Sequence, residues 1–296
     1  MTGWTSLLEG GLDPAAVASL VDRALTEDLG GGHVSDDVDV TSAATIPADL
    51  FGTADVRTRA AGVIAGIDVA ALVFERADAE VIRVAADGDR VQPGDVVLTA
   101  TGPVRRLLTV ERTMLNLLCH LSGIATLTAR WVDAVAGTRA QIRDTRKTTP
   151  GLRALEKYAV RCGGGVNHRM GLWDAALVKD NHVAAAGGVA AAFQAVRERF
   201  PLVAVEVECD TVVQVNEAIA AGADLILLDN MTLADLRACV EVAPPGLLLE
   251  ASGGLSLANA SDVAATGVHF LAVGALTHSA PILDLGMDLR SGPVTR

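Results

Sequence analysis

Three acids set the spacing of this chain. Glu208, Asp229 and Glu250 stand 21 residues apart, each at or next to the end of a short apolar run: LVAVEVE, DLILLD and GLLLEA. Segments of helical periodicity follow each run, at TVVQVNEAIAAG (211–222), TLADLRACVEVA (232–243) and SLANASDVAATG (256–267). A strand, a turn and a helix fill such a repeat, and strands joined through helices lie parallel with right-handed crossovers. The rhythm begins earlier, at AQIRD (140–144), AALVKD (175–180) and VAAAFQAVRERF (189–200), and closes with HFLAVG (269–274). About six such units without a GxGxxG after the first strand predict an incomplete (β/α) barrel, not a doubly wound sheet.

A barrel places its site at the C-terminal ends of its strands. The residues there form a coherent set: Arg146, Lys147, Lys179, Asp180, Asn181, Glu208, Asp229, Ser252, Gly253, Gly254 and Gly274. The last two strands end in Gly-bearing loops, ASGG and VGA, whose exposed N–H groups suit a phosphate. Glu208 and Asp229 carry two readings. They are ion-pair partners for Lys179 or Lys147, or they hold Mg²⁺, which commonly takes one or two carboxylates together with substrate phosphates.

Charge sharpens the picture. The chain has 36 acidic against 24 basic residues, a net charge of -12, which argues against nucleic acid and anionic membrane as partners. Within 139–182 the sign reverses, and all three lysines of the chain, Lys147, Lys157 and Lys179, fall there. A helix at 153–161 accounts for Arg153, Lys157 and Arg161 as a solvated basic face. Arg146, Lys147, His168 and Arg169 instead lie among Thr, Gly and Pro, as ligand-contacting loops do. A local pocket for small anions follows. No apolar run approaches the ~18 residues of a membrane span. The start, MTGWTSLLEGGLD, lacks the pattern of a secretory signal, so a cytoplasmic protein with four reduced, dispersed cysteines is expected. No HExxH or clustered zinc spacing occurs.

Before residue 105 the pattern is α+β. Asp13 and Pro14 open a helix over 13–29, 52–60 alternates as a strand, 62–67 forms a short strand, and 68–78 a short helix. Residues 80–104 alternate between Gly turns, as an antiparallel sheet does. The helix at 105–122 is apolar over most of its surface, with Arg112, Asn116 and His120 on one stripe. That stripe faces either solvent or a site. Gly123 marks the change of domain, and a second helix covers 124–136.

Several stretches together resemble quinolinate phosphoribosyltransferase: EDLG (27–30), DVTS (39–42), GDRVQPGDVVLTATGP, ERTMLNLLCHLSGIAT (111–126), DTRKTTPGLRALEKYAVRCGGGVNHRMGLWD (144–174), VKDNH (178–182), VEVE, LLDN, EASGG and VGALTHS. They run through almost the whole chain in order. The resemblance implies an N-terminal α/β sandwich domain (1–122, with 285–296 returning to it) and an incomplete (β/α) barrel (123–284) carrying the site. It implies phosphoribosyl transfer from phosphoribosyl pyrophosphate to quinolinate with decarboxylation, giving nicotinate mononucleotide, pyrophosphate and CO₂. It also implies Mg²⁺ and a homodimer whose sites are shared.

Residue roles follow from the same resemblance. Arg112 resembles the arginine lent across the dimer, and Arg146, His168, Arg169 and Lys179 the rest of a quinolinate cradle. Lys147 resembles the lysine that reaches toward the pyrophosphate and the reacting centre. Glu208 and Asp229 resemble the ribose and Mg²⁺ ligands. Ser252, Gly253, Gly254 and Gly274 resemble the 5-phosphate loops, with His278 near the diphosphate. Lys147, Lys179 and His168 stay open as the group that handles the proton at C2 after CO₂ leaves. The acid-rich loop GGGHVSDDVD (30–39) departs from the family pattern. A homologue associated with molybdenum transport and a non-catalytic anion-binding barrel are the alternatives. Pyrophosphate release with quinolinate separates them.

Overall fold

The structure is a computed structural model and describes residues 3–290. Up to the first long helix the order is α1 (Gly3–Glu9), α2 (Pro14–Asp28), α3 (Val40–Thr45), β1 (Phe51–Thr58), β2 (Gly62–Val63), α4 (Ile67–Glu75), β3 (Glu80–Arg83), β4 (Arg90–Val91) and β5 (Val96–Pro103). The helix α5 (Val104–Ala134) follows, then β6 (Gln141–Arg143), α6 (Arg153–Cys162), β7 (Ala176–Val178), α7 (Asp180–Ala186) and α8 (Val189–Arg199). Three strand–helix pairs come next: β8 (Val205–Cys209) with α9 (Val212–Ala220), β9 (Leu225–Asp229) with α10 (Leu233–Val242), and β10 (Leu248–Ser252) with α11 (Ala260–Ala264). The chain closes with β11 (Phe270–Ala272), α12 (Ala275–His278) and β12 (Leu285–Leu289). The described residues form two compact units, one of residues 3–127, 154–163 and 280–290, the other of 128–153 and 164–279.

The first unit is an antiparallel sheet with helices. Its strand order is β12-β1-β5-β3, with β2 and β4 as a separate pair. Apolar residues surround α4, where Val69 through Phe74 are all buried, so that helix lies inside the unit. Asp13 caps α2 by accepting from the Ala15 N–H at 2.9 Å, and Pro14 occupies its first turn. Within β1, Asp55 is buried and accepts from Arg290 Nη2 at 2.7 Å, Thr99 Oγ1 at 2.8 Å and Arg57 Nη2 at 2.9 Å. The Arg290 guanidinium above all holds its carboxyl down to about 2. Of the segment 285–296, β12 pairs antiparallel with β1, and 291–296 lie outside the described residues.

The second unit is a six-stranded parallel sheet in the order β6-β11-β10-β9-β8-β7. Neighbours in space are neighbours in sequence, except that the first strand, β6, pairs with the last, β11. This is singly wound, the order of a (β/α) barrel, opened between β6 and β7. Val166 bridges Arg143 on the open side of β6. None of the described helices is long and apolar enough to cross a membrane.

Two details differ from the sequence reading. Residues 104–134 form one helix, not two. Gly123 lies in its middle because a Cβ there would meet the Pro281 carbonyl oxygen at 2.2 Å. Close approach of the backbone, not helix termination, requires this glycine. The second difference is the segment 154–163, nearly all of α6, which groups with the first unit although it falls inside 123–284. Tyr158 Oη donates to Asp87 Oδ2 at 2.7 Å, and Glu156 Oε1 meets His120 Nε2 at 2.9 Å. Lys157 is fully buried, so α6 is not a solvated basic helix along its whole length.

Candidate active site

The parallel strands of the second unit all point their C-terminal ends toward one cavity of about 380 Å³. Thr145, Arg146, Lys147, His168, Arg169, Lys179, Glu208, Asp229 and Ser252 line it, with Leu177, Leu227 and Ala272. Strand register explains the assembly. Asp229 ends β9 directly opposite Ser252 of β10, and Glu208 of β8 pairs with Leu227 of β9. Lys179 caps the start of α7, just past β7, and its Nζ donates to Glu208 Oε2 at 2.5 Å. Glu208 therefore makes the ion pair with Lys179 that one of its two readings expects, and it also lines the cavity. Asp229 accepts from Asn230 Nδ2 at 2.6 Å.

The arginines are held unequally. Arg169 Nη1 donates to the Ala175 carbonyl at 2.8 Å, yet the Nε atoms of both Arg146 and Arg169 are buried without a partner. Burial and then the neighbouring Arg146 guanidinium push the Arg169 group below its ordinary value. Two guanidiniums sharing a cavity wall, each with a spare buried donor, form a site that an anion would complete.

Beneath them lies a layer of buried charge. Arg143 reaches Glu250 Oε2 and stacks 4.7 Å from the Phe270 ring centroid. His168 Nε2 lies 2.7 Å from Glu206 Oε2. Asp144, fully buried, accepts from the His168 N–H at 2.7 Å and from Asn167 Nδ2 at 2.6 Å, which pins the NHR segment. Glu206 and Glu250 were not singled out as site residues from the sequence. A signal existed: Glu206 lies two residues from Glu208 on one strand, so both side chains face the same way.

The Gly loops sit at the neighbouring strand ends. Gly253 has φ +81 and Gly254 φ +61. A Cβ on Gly253 would meet Asn230 Oδ1 at 2.1 Å. Both glycines line a second cavity of about 240 Å³ that shares Ser252 with the first. Gly274 opens α12, and a Cβ there would stand 2.9 Å from Lys147 Cδ and 3.3 Å from His278 Nε2. Thr277 Oγ1 donates to the Lys147 carbonyl at 2.8 Å, so α12 fixes the lysine's backbone. Arg112 is exposed on α5 in the first unit and is not among the residues lining the cavity.

Parallel strands wound in sequence, with cations, carboxylates and Gly loops at one end, define an α/β-barrel protein built around small anionic ligands. The family models narrow that class. "Quinolinate phosphoribosyl transferase, C-terminal domain" matches residues 124–288, and the corresponding N-terminal domain matches 39–122. The chain belongs to the quinolinate phosphoribosyltransferase family. It is 53% identical over 281 residues to the nicotinate-nucleotide pyrophosphorylase [carboxylating] of Mycobacterium leprae, covering 93% of this chain and 97% of that one. The probable enzyme of the same name from Bacillus subtilis is 40% identical, over 91% and 92% of the two chains. The nicotinate-nucleotide pyrophosphorylase structure from Francisella tularensis superposes with a TM-score of 0.89 at 37% identity, over 94% of this chain and 98% of that one.

Proposed function

We propose that this chain is a quinolinate phosphoribosyltransferase of NAD biosynthesis. It transfers the phosphoribosyl group of phosphoribosyl pyrophosphate to quinolinate, releasing pyrophosphate and CO₂ and forming nicotinate mononucleotide. The observation that carries the reading is the pair of arginines with unpartnered, buried Nε donors on one cavity wall. Quinolinate is a planar dianion with adjacent carboxylates, and two guanidinium forks recognise both its charge and its plane. Residues 123–284 serve as the catalytic segment in this reading.

The remaining roles follow from place. Arg146, Arg169, His168 and Lys179 cradle quinolinate, while Ser252, Gly253, Gly254 and Gly274 present backbone N–H groups to the 5-phosphate. Lys147 and His278, neighbours across Gly274, face the diphosphate. Glu208 and Asp229 hold the ribose and Mg²⁺. Each has one oxygen engaged by Lys179 or Asn230, which leaves the other to a ligand. Two carboxylates would suit Mg²⁺ together with substrate phosphates, and the ion would supply neutralisation of the leaving group's charge. The ring nitrogen attacks ribose C1 as the diphosphate departs. Alignment and electrostatics suffice, so no protein nucleophile is required. In a homodimer, Arg112 of each subunit serves the other's cavity. The direct test is pyrophosphate release: it should require quinolinate together with phosphoribosyl pyrophosphate, and release that is indifferent to quinolinate would overturn the reading.

A further inference from the structure

Arg146 and Arg169 stand on two loops, 144–152 and 167–175, that contain neither helix nor strand. Their like charges repel across one cavity wall. Loops of this kind would part in an empty cavity, and the two guanidinium forks would lose the spacing that adjacent carboxylates need. The loops are tied on both sides of the arginines. On one side Asp144, two residues before Arg146, accepts from the His168 N–H at 2.7 Å and from Asn167 Nδ2 at 2.6 Å, just before Arg169. On the other side stands Arg153. Its Nε donates to Thr148 Oγ1 at 3.0 Å, two residues after Arg146. Its Nη1 donates to the Met170 carbonyl at 3.3 Å, one residue after Arg169. The Thr148 hydroxyl in turn donates to the Arg146 carbonyl at 3.5 Å.

Local structure does not ask for an arginine at 153. It is the first residue of α6, where a cation opposes the helix dipole. A solvated basic face, the role its neighbours in the sequence suggest, would leave the side chain in water. Here it is half-buried, with Nε engaged by one loop and Nη1 by the other. A planar fork with several fixed donors can bridge two acceptors in this way, whereas a lysine is a single point charge. Arg153, Thr148, Met170 and both cavity arginines belong to the second unit.

We infer that Arg153 is a positioning residue for quinolinate: together with Asp144 it brackets Arg146 and Arg169 and fixes the distance between their guanidiniums. The inference rests on the proposed quinolinate site. Arg153 does not line the cavity, so it acts through the two loops and not on the substrate. The acids and Gly loops assigned to phosphoribosyl pyrophosphate lie at the ends of β8 to β11, outside the bracket. Lys147 shares the first loop, but Thr277 Oγ1 holds its carbonyl independently at 2.8 Å. The effect of the bracket is therefore selective for one substrate.

The test uses Arg153→Gln, Thr148→Val and the two together. Each single change should raise the KM for quinolinate about three- to tenfold, the scale of one lost hydrogen bond, while kcat and the KM for phosphoribosyl pyrophosphate stay within about twofold. Thr148→Val keeps every charge, so its effect separates positioning from the long-range field of the Arg153 guanidinium. Because both side chains act through one chain of contacts, the double variant should lose little more than the worse single variant. A merely structural role would lower the melting temperature and move both KM values together or neither. Equal rises for the two substrates, an unchanged KM for quinolinate, or losses that multiply in the double variant would each overturn the inference. If Arg153→Gln does not fold, Thr148→Val decides alone by the same criteria. Arg169→Ala separates the two levels. If it spares quinolinate binding, the site reading itself fails. If it weakens binding while Arg153→Gln and Thr148→Val do not, only the bracket is wrong.

Discussion

In the proposed reading, Arg146 and Arg169 are the residues on which substrate choice turns. Replacing either with Ala removes a charge-assisted contact of about 1.5–3 kcal/mol, or roughly ten- to a hundredfold in affinity. The KM for quinolinate should rise by that factor while the KM for phosphoribosyl pyrophosphate changes little, and an equal loss for both substrates would contradict the cradle. In the same proposal, Glu208 and Asp229 serve the other substrate. Activity should need Mg²⁺, and the double change Glu208→Gln with Asp229→Asn should abolish turnover while circular dichroism stays native. Full activity in a chelator would rule out the metal role. Residue types made these four legible in the sequence. The buried pair Glu206 and Glu250 was harder to read, because an acid inside an apolar strand acquires meaning only when its neighbours across the sheet are known.

Elements set how tightly these groups are held. The loop after β10 turns through Gly253, whose positive φ and 2.1 Å approach to Asn230 leave no room for a side chain. Gly253→Ala should displace Asn230 and with it the Asp229 carboxylate, raising the KM for phosphoribosyl pyrophosphate more than that for quinolinate. Titrations with each substrate in turn would measure this. In the first unit, Asp55 ties β1 to Arg290 just past β12. Its carboxyl is depressed from 3.8 to about 2, so its contribution to stability is present in full above pH 3.8 and is lost as pH falls through about 2. A shift of that size corresponds to at most about 2 kcal/mol, and solvent screening at the half-exposed Arg290 side chain reduces it further. Urea titrations should show Asp55→Asn less stable than wild type by up to that amount at pH 6, with the gap closing as pH drops below 3.8. A pH-independent gap would mean that packing, not charge, explains the loss.

At the scale of the molecule, Arg112 is the residue in question. It is exposed on α5, in the unit that does not line the cavity. In a two-fold dimer a self-complementary interface lets each subunit complete the other's site. Homodimers of Arg112→Ala and of Lys147→Ala should each be nearly inactive. After subunit exchange, a heterodimer holds one site with both lesions and one with neither, so activity should recover toward half of wild type per heterodimer. Demonstrated exchange without recovery would place Arg112 in its own subunit's service.

The sequence by itself determined the strand–helix rhythm, because burial of a parallel strand and an amphipathic helix leaves periods that composition cannot hide. It also determined the set of Lys, Arg and acid residues at the strand ends, since the C-terminal end of a barrel strand is a position that can be counted. Only the tertiary structure decided that α5 passes unbroken through Gly123, because the reason is the Pro281 carbonyl, 158 residues further along the chain. Only the tertiary structure brought Arg143, Glu206, Glu250 and His168 into one buried layer. They come from three strands and a loop, and no spacing along the chain brings them together.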